Sequence, residues 1–461
     1  MKYFLAVDIG ASSGRHILGH LENNKMVLEE IYRFPNGMKK KDNHLIWDVE
    51  ELFSHILTGM KKCKEMNIIP YSMGIDTWAV DYALLDQDGN LMHDIFGYRD
   101  SRTNGMDEEV YKMILEEDLY ARTGIQKQIF NTIYQLKAED NLEKADCMLL
   151  VPDYFNYLLT DNKMTEYTNA STTQLVSPDT KDWDFELIEK LGYPKHIFTK
   201  VYTPQTFVGE LKESIQKEVG FNTRVVLPPT HDTASAVLAV PSNKEALYIS
   251  SGTWSLMGCE LKEANCSKES KHYNFTNEGG IEYRFRYLKN IMGMWMINSV
   301  KKEIGNEYSF NEICEMAKKE TIESIVDAQA DIFMAPESMV KAVQNECERT
   351  HQQVPVGIGQ VAKVIYQSLA QCYAKTAKEV EEMTHKKYDC IHVVGGGCQA
   401  TYLNELTAKV CHKDVYAGPV EATAIGNITS QMMACEELKD LSNARQCIFD
   451  SFGVTKIEGK Q

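Results

Sequence analysis

Several absences narrow the function of this chain before any motif is considered. Its twelve cysteines include no CxxC pair, and its twelve histidines include no HExxH. That pattern disfavours a structural zinc site and reads instead as free thiols in a reducing cytoplasm. No apolar run approaches the roughly 20 residues of a membrane span. The first residues read as a strand carrying Asp8, not as the basic segment and apolar core of a signal peptide. Basic charge is in deficit as well, with 49 Lys and Arg against 66 Asp and Glu and a formal net charge of -17. A nucleic-acid or anionic-membrane partner would call for a basic face, so neither is expected. No linker, low-complexity tract or obligatory protein partner is signalled.

What remains is an ordinary globular composition, 43% hydrophobic and 25% charged. A chain of 461 residues exceeds one core, so two domains are expected. Strands are predicted over 3–7, 16–21 and 26–34, with an amphipathic helix over Val49–Glu65. "YSMGIDTWAVDYALLDQDGN" reads as strand, loop and strand closed by a hairpin-type turn at Asp88-Gly89. Residues 101–159 read as largely helical. A buried strand over 225–227 leads through Pro228-Pro229 to a helix from Thr233. "EALYISSGTWSLMG" then repeats the strand, small-residue turn and strand of the N-terminus. Val361, Ile365, Leu369, Cys372 and Val380 form a helical stripe over 358–383. Strand Cys390–Val394 meets Gly395-Gly396-Gly397 and another helix. Mixed elements in both halves point to α/β.

Two stretches mimic nucleotide motifs. "GIGQVA" at Gly357 lacks the preceding strand that a dinucleotide fingerprint requires, so it reads as a helix start. "GVTKIEGKQ" has the wrong spacing for a P-loop and reads as a tail.

Three small-residue turns follow strands, at 10–14, 250–253 and 395–397. Each is either a plain tight turn or an anion cradle of backbone N–H groups. Beside the first stands Asp8, which either caps the turn or faces a hydrated Mg²⁺ that separates it from phosphate. Arg15 reaches a phosphate or is a surface cation. Asp232 is either a helix N-cap or a base that takes a proton from a hydroxyl attacking a phosphoryl group, held ionised by the helix start. His231 is a structural histidine or a contact to a sugar hydroxyl. In "DTWAVD", Trp78 between Asp76 and Asp81 fits either a carbohydrate site or a buried ring with turn acids.

Together "AVDIGASSGR", "GIDTWAVDYALLD", "YRDSRTNG", "PDYFNYLLT", "EYTNASTTQL", "THDTASAVLA", "SSGTWSLMG", "TNEGG", "LKNIMGMW", "HVVGGGCQ" and "AGPVEATAIGN" resemble, in order and along nearly the whole chain, the FGGY carbohydrate kinases of the actin-like ATPase superfamily. "DTWAVD", "HDTASAV", "SSGTWSL" and "KNIMGMW" resemble the branch that phosphorylates L-rhamnulose at its 1-hydroxyl. The resemblance implies two ribonuclease-H-like lobes of actin and hexokinase type, with the active site in the cleft they form. The N-terminal lobe would span 1–241, the C-terminal lobe 242–446, and a tail 447–461. ATP with Mg²⁺ and a ketose would be the partners. By the same resemblance Asp232 is the proton acceptor, and Ala79, His231, Asp232, Thr233 and Asn290 contact sugar. Ala11, Ser12, Ser13, Gly14, Arg15, Thr253, Asn298 and Gly396 contact nucleotide, and Asp8 serves the metal through water. Ala79 stands where the pattern usually has Gly, and fits if its φ is negative; Asn298 stands where it usually has a longer Gln. Kinases of the same family acting on L-fuculose, a pentulose or glycerol are the near alternatives. A non-kinase ATPase of actin or chaperone type is the distant one.

Overall fold

The computed structural model describes residues 1–459. They pack as two units, the first made of Met1–Ala239, Leu261–Tyr287 and Thr423–Ser451, the second of Val240–Glu260, Leu288–Ala422 and the residues from Phe452 onward. The first unit therefore draws on three stretches of chain, where the sequence suggested contiguous segments.

Its main sheet contains β1 (Phe4–Ile9), β2 (Ser13–Glu22), β3 (Lys25–Pro35), β4 (Ser72–Thr77), β5 (Phe207–Glu210) and β6 (Arg224–Val226), in the order β5-β6-β4-β1-β2-β3. β1 runs antiparallel to β2 and parallel to β4, and β4 runs parallel to β6. Every residue of β1 and β4 is buried, as expected of central strands covered on both faces. Side chains alternate between those faces. Leu5, Val7, Ile9, Met73 and Ile75 enter one core with Leu52, Ile56 and Met60 of α1 (Val49–Glu65). Asp48 starts that helix by accepting from the Glu51 amide at 2.9 Å.

The alternate residues Ser72, Gly74 and Asp76 face the other side. There Asn427 and Gln431 of α3 (Ala422–Ala434) meet them: Asn427 Nδ2 donates to the Gly74 carbonyl, and Ser72 Oγ donates to Gln431 Oε1. Two helices also cross closely. A Cβ on Gly426 of α3 would lie 1.8 Å from the carbonyl oxygen of Ser235 in α2 (Asp232–Leu238).

The second unit repeats the strand plan. β7 (Leu247–Ser251) pairs antiparallel with β8 (Ser255–Leu261) and parallel with β9 (Cys390–Val394), which pairs with β10 (Asp414–Ala417). Helix Gly357–Thr384 buries Val361, Ile365, Leu369 and Val380, whereas Cys372 is half-buried.

Two expectations need correction. The final stretch is no tail: helix Leu441–Ser451 is followed by β11 (Thr455–Ile457), antiparallel to β10. Within the segment read as helical, Cys147–Leu150 is a buried strand paired with Tyr82–Leu85. Four consecutive apolar residues carry no period that separates strand from buried helix. The turn at Asp88-Gly89 forms, with Gly89 at φ 81, but only an isolated Leu85–Leu91 bridge joins its arms. No disulfide occurs among the described residues, all twelve cysteines being free. No helix among them is long and apolar enough to cross a membrane.

A substitution at the helix crossing tests this packing. Gly426→Ala sets a methyl against backbone that cannot rotate away. It should destabilise the protein by about 1–3 kcal/mol, read as a lower denaturant midpoint at unchanged slope.

Candidate active site

Parallel pairing of β1 and β4 sets Asp8 beside Asp76 in register, on the same face of the sheet. One residue past β4's acid, the Thr77 amide donates to the Thr230 carbonyl at 2.9 Å. That bond ties the chain entering α2 to the same strand end and brings in Asp232. Three carboxylates thus gather at the C-terminal ends of parallel strands, where α/β sheets habitually bind ligands.

Their surroundings differ. Asp8 accepts from Arg15, with Nε at 2.9 Å and Nη2 at 2.8 Å from Oδ2. Asp76 is fully buried; Oδ2 accepts from Asn427 Nδ2 at 2.6 Å, while Oδ1 has no partner. Burial and then the charge of Asp8 hold the Asp76 carboxyl well above the usual range. Asp232 is the first residue of α2, behind His231, an N-cap whose side chain makes no capping bond. Its pKa is pushed up to about 7, first by burial and next by Asp8. The sequence suggested that the helix start would keep this acid ionised. Enclosure and a like charge outweigh the field of a seven-residue helix. The side chain still keeps 27% of its surface open, so a substrate can reach it.

The turn after β1 is built for close approach. Gly10 N–H donates to the Ser13 carbonyl, and Asn36 Nδ2 holds the Gly10 carbonyl at 2.8 Å. Among the described residues the Ala11 and Ser12 amides meet no acceptor. Ser12 is exposed and Ser13 half-buried. Gly14 is required, since a Cβ there would fall 2.1 Å from the Phe34 ring.

The second unit brings its two small-residue turns together. A Cβ on Gly397 would lie 1.9 Å from Ser251 Oγ, and one on Gly395 2.9 Å from the Ser251 carbonyl. Gly396 is exposed, with nothing among the described residues within 4 Å of its Cβ position; Thr253 is exposed in the β7–β8 turn, its carbonyl accepting from the Trp295 amide. Asn298 is half-buried on helix Trp295–Glu303, and Asn290 is half-buried on strand Phe285–Ile291.

His231 and Thr233 are organised by a cation that sequence reasoning missed. Arg286 has no exposed side-chain surface. Its Nε donates to the Gly279 carbonyl at 2.9 Å, Nη1 to Thr233 Oγ1 at 2.6 Å and Nη2 to His231 Nδ1 at 3.1 Å. Nη2 also lies 3.0 Å from Glu278 Oε2. Burial, then this guanidinium, keeps the His231 pKa well below its ordinary value. Glu166 supports the segment from beneath, accepting from the Thr230 amide and hydroxyl and from Thr168 and Asn169. Neither Arg286 nor Glu278 lies next to the His-Asp-Thr run in sequence, so no spacing signals them.

Trp78 and Asp81 serve as scaffold for their loop. Trp78 is buried against Trp47 with ring centroids 3.9 Å apart. Asp81 accepts from Trp47 Nε1, Trp78 Nε1, Gln135 Nε2 and the Tyr98 amide. Burial raises its pKa to about 6 despite those donors. Val80 adopts φ 71, rare for a β-branched residue, and its carbonyl is held by Thr132 Oγ1 at 2.7 Å. Ala79 is half-buried and its φ is not positive, so the condition on an alanine here is met.

Among the described residues no three His, Cys, Asp or Glu converge closely enough to ligate a metal. A site built for Mg²⁺ does not need them, because that ion retains several waters and binds one or two carboxylates plus phosphate. Asp76, with Oδ1 unpartnered among the described residues and its carboxyl held neutral by burial and Asp8, is a group whose ionisation a nearby hydrated cation would favour.

Asp232 also sets a pH dependence of stability. Its folded pKa of about 7 exceeds the unfolded value of about 3.9, so the native state binds that proton more tightly. The resulting stabilisation is complete below the unfolded value and is lost as pH rises through about 7. Asp232→Asn should therefore raise Tm at pH 8 by at least about 2 °C and change it little near pH 4, as read by calorimetry.

Comparison with known proteins places this site in a family. The description "FGGY family of carbohydrate kinases, N-terminal domain" matches residues 3–239, and its C-terminal counterpart matches 247–435. A rhamnulokinase of Halalkalibacterium halodurans is 49% identical over 461 residues, covering 99% of this chain and 98% of that protein. One from Bacillus subtilis is 42% identical, covering 98% and 94%. Among solved structures, a xylulose kinase from Lactobacillus acidophilus superposes with a TM-score of 0.81 at 15% identity, covering 100% of this chain and 94% of that one. Plasmodium falciparum glycerol kinase with ADP gives 0.76 at 12% identity, covering 98% and 94%. These two likenesses give the fold alone, a two-domain α/β architecture. Matched over both of its domains and nearly its full length, the chain belongs to the FGGY family of carbohydrate kinases.

Proposed function

We propose that this protein is a rhamnulokinase, transferring the γ-phosphoryl group of ATP to the 1-hydroxyl of L-rhamnulose. The sugar assignment is supported by relatives named rhamnulokinase at 38–49% identity over nearly the whole chain. The chemistry is supported by the placement of Asp232, reachable at the strand end that holds Asp8 and Asp76, where burial and Asp8 raise its pKa to about 7.

Asp232 accepts the proton of the 1-hydroxyl as that oxygen bonds to the γ-phosphorus and the bridge to ADP breaks. A base with a pKa near the working pH suits this step. The Ala11 and Ser12 amides, with Ser13, Gly14 and Arg15, receive phosphate oxygens. Thr253, Asn298 and Gly396 hold the nucleotide. Ala79, His231, Thr233 and Asn290 hold the ketose. Asp8, through water, is the residue placed to hold Mg²⁺, which when bound neutralises phosphate charge. Twelve free thiols suit the reducing cytoplasm as the site of this reaction.

The test is ADP release by the purified protein with ATP, Mg²⁺ and a panel of ketoses and polyols. L-rhamnulose should be preferred, and activity confined to another sugar would overturn the substrate. Asp232→Asn should lose about two to four powers of ten in turnover while retaining its fold and nucleotide binding. Near-normal turnover in that variant would remove Asp232 from the reaction.

A further inference from the structure

We infer that Arg286 is a positioning residue: it locks His231 in the neutral Nε2–H tautomer, so that His231 can only donate toward the ketose, while Asp232 beside it accepts. The inference rests on the proposed kinase reading for the identity of the ligand, and on geometry alone for the tautomer.

Donors and acceptors around the imidazole fix where its proton sits. A guanidinium donates and never accepts. Arg286 Nη2 lies 3.1 Å from His231 Nδ1, so that nitrogen must present a lone pair and the ring proton must sit on Nε2. The competing arrangement puts the proton on Nδ1 and aims it at Glu278. Glu278 Oε2 is 3.5 Å from Nδ1, beyond the usual hydrogen-bond length, and an N–H there would abut the guanidinium.

The second charged group near the ring agrees. Asp232 Oδ1 lies 3.6 Å from Nε2, and an Nε2–H faces it with favourable sign. Arg286, Glu278 and Asp232 are the charged partners recorded around this imidazole. Thr233 is drawn into the same polarity. Its Oγ1 accepts from Arg286 Nη1 at 2.6 Å and lies 3.1 Å from His231 Nε2, so both lone pairs face donors and the hydroxyl hydrogen is left to point away from them. Thr233 then offers that hydrogen, His231 an Nε2–H that Thr233 Oγ1 shares in the resting site, and Asp232 lone pairs. A ligand that fits presents one donor hydroxyl to Asp232 and acceptor oxygens to its neighbours, as adjacent oxygens of a ketose do. A histidine free to flip its tautomer would compete with Asp232 for the reacting proton; Arg286 prevents that.

The test reads the tautomer directly, on the full chain labelled with ¹⁵N-histidine and without substrate or ATP. His231 signals are assigned by their loss in His231→Gln. We expect an unprotonated Nδ1 and a protonated Nε2 from pH 6 to pH 9. Arg286→Lys retains a donor and should keep that tautomer. The Arg286→Met/Glu278→Gln double variant avoids leaving a lone buried carboxylate. It should give a titrating or mixed-tautomer His231, with kcat/KM for the ketose lower by roughly 10- to 100-fold, as when hydrogen bonds to a charged group are lost, and an unmoved KM for ATP. An Nδ1–H signal in the parent protein overturns the inference, as does a folded double variant with an unchanged His231 spectrum. If the double variant does not fold, the parent and Arg286→Lys spectra decide. Failure to phosphorylate any ketose would refute the proposed reaction and leave the tautomer result standing.

Discussion

Mutual repulsion of carboxylates at the ends of β1 and β4 is the constraint around which this site is organised. Asp8 and Asp76 are held in register by backbone pairing, so neither can retreat from the other. Asp232 is tied to the same strand end through Thr77 and Thr230. With Arg15 as partner of Asp8 and one amide as partner of Asp76, the three acids could ionise together only by carrying more negative charge than their own cation neutralises. Asp232 responds by holding its proton until near-neutral pH. A cation arriving with phosphate lowers that repulsion, and a proton arriving from a hydroxyl lowers it too. Both events belong to phosphoryl transfer.

The buried acids of the first unit divide according to how many donors they receive. Asp81 receives four, two of them indole N–H groups, and fixes the Trp78 loop around a strained Val80. Glu166 receives donors from Thr168, Asn169 and Thr230 and fixes the approach to α2. Such acids are saturated, and saturation makes them scaffold. Asp76 keeps an empty oxygen and Asp232 an open face. Unsatisfied acceptors in a rigid frame stay available for ligand and proton. The same frame sets Arg286 against His231 and Thr233, with Nη2 3.1 Å from Nδ1 and Nη1 2.6 Å from Oγ1.

Local patterns made much of this legible from sequence. The helix Val49–Glu65 and the strand Cys390–Val394 follow from unbroken periodicity and from an apolar run ended by glycine. The turn after β1 and the His231-Asp232-Thr233 run stood out because small residues and acids meet at strand ends. What stayed hidden depends on long-range packing. Arg286 and Glu278 reach His231 across about fifty residues of sequence, and Asn427 reaches Asp76 across 351. Neither distance leaves a periodic trace. Trp78 between two acids looked equally like a sugar platform and a buried ring. Only Asp81's four donors decide for scaffold. The pKa of Asp232 was misjudged in sign, because a helix start is visible in sequence and a neighbouring carboxylate on another strand is not.

Crowding by Asp8, on top of burial, sets the proton affinity of Asp232. Titration of ¹³C-carboxyl-labelled aspartate, with the Asp232 signal assigned by its loss in Asp232→Asn, measures that affinity directly. The account predicts an apparent pKa of about 7 that falls when Asp8 is replaced by Asn. A signal titrating in the ordinary aspartate range near about 4, or one indifferent to Asp8, would contradict it.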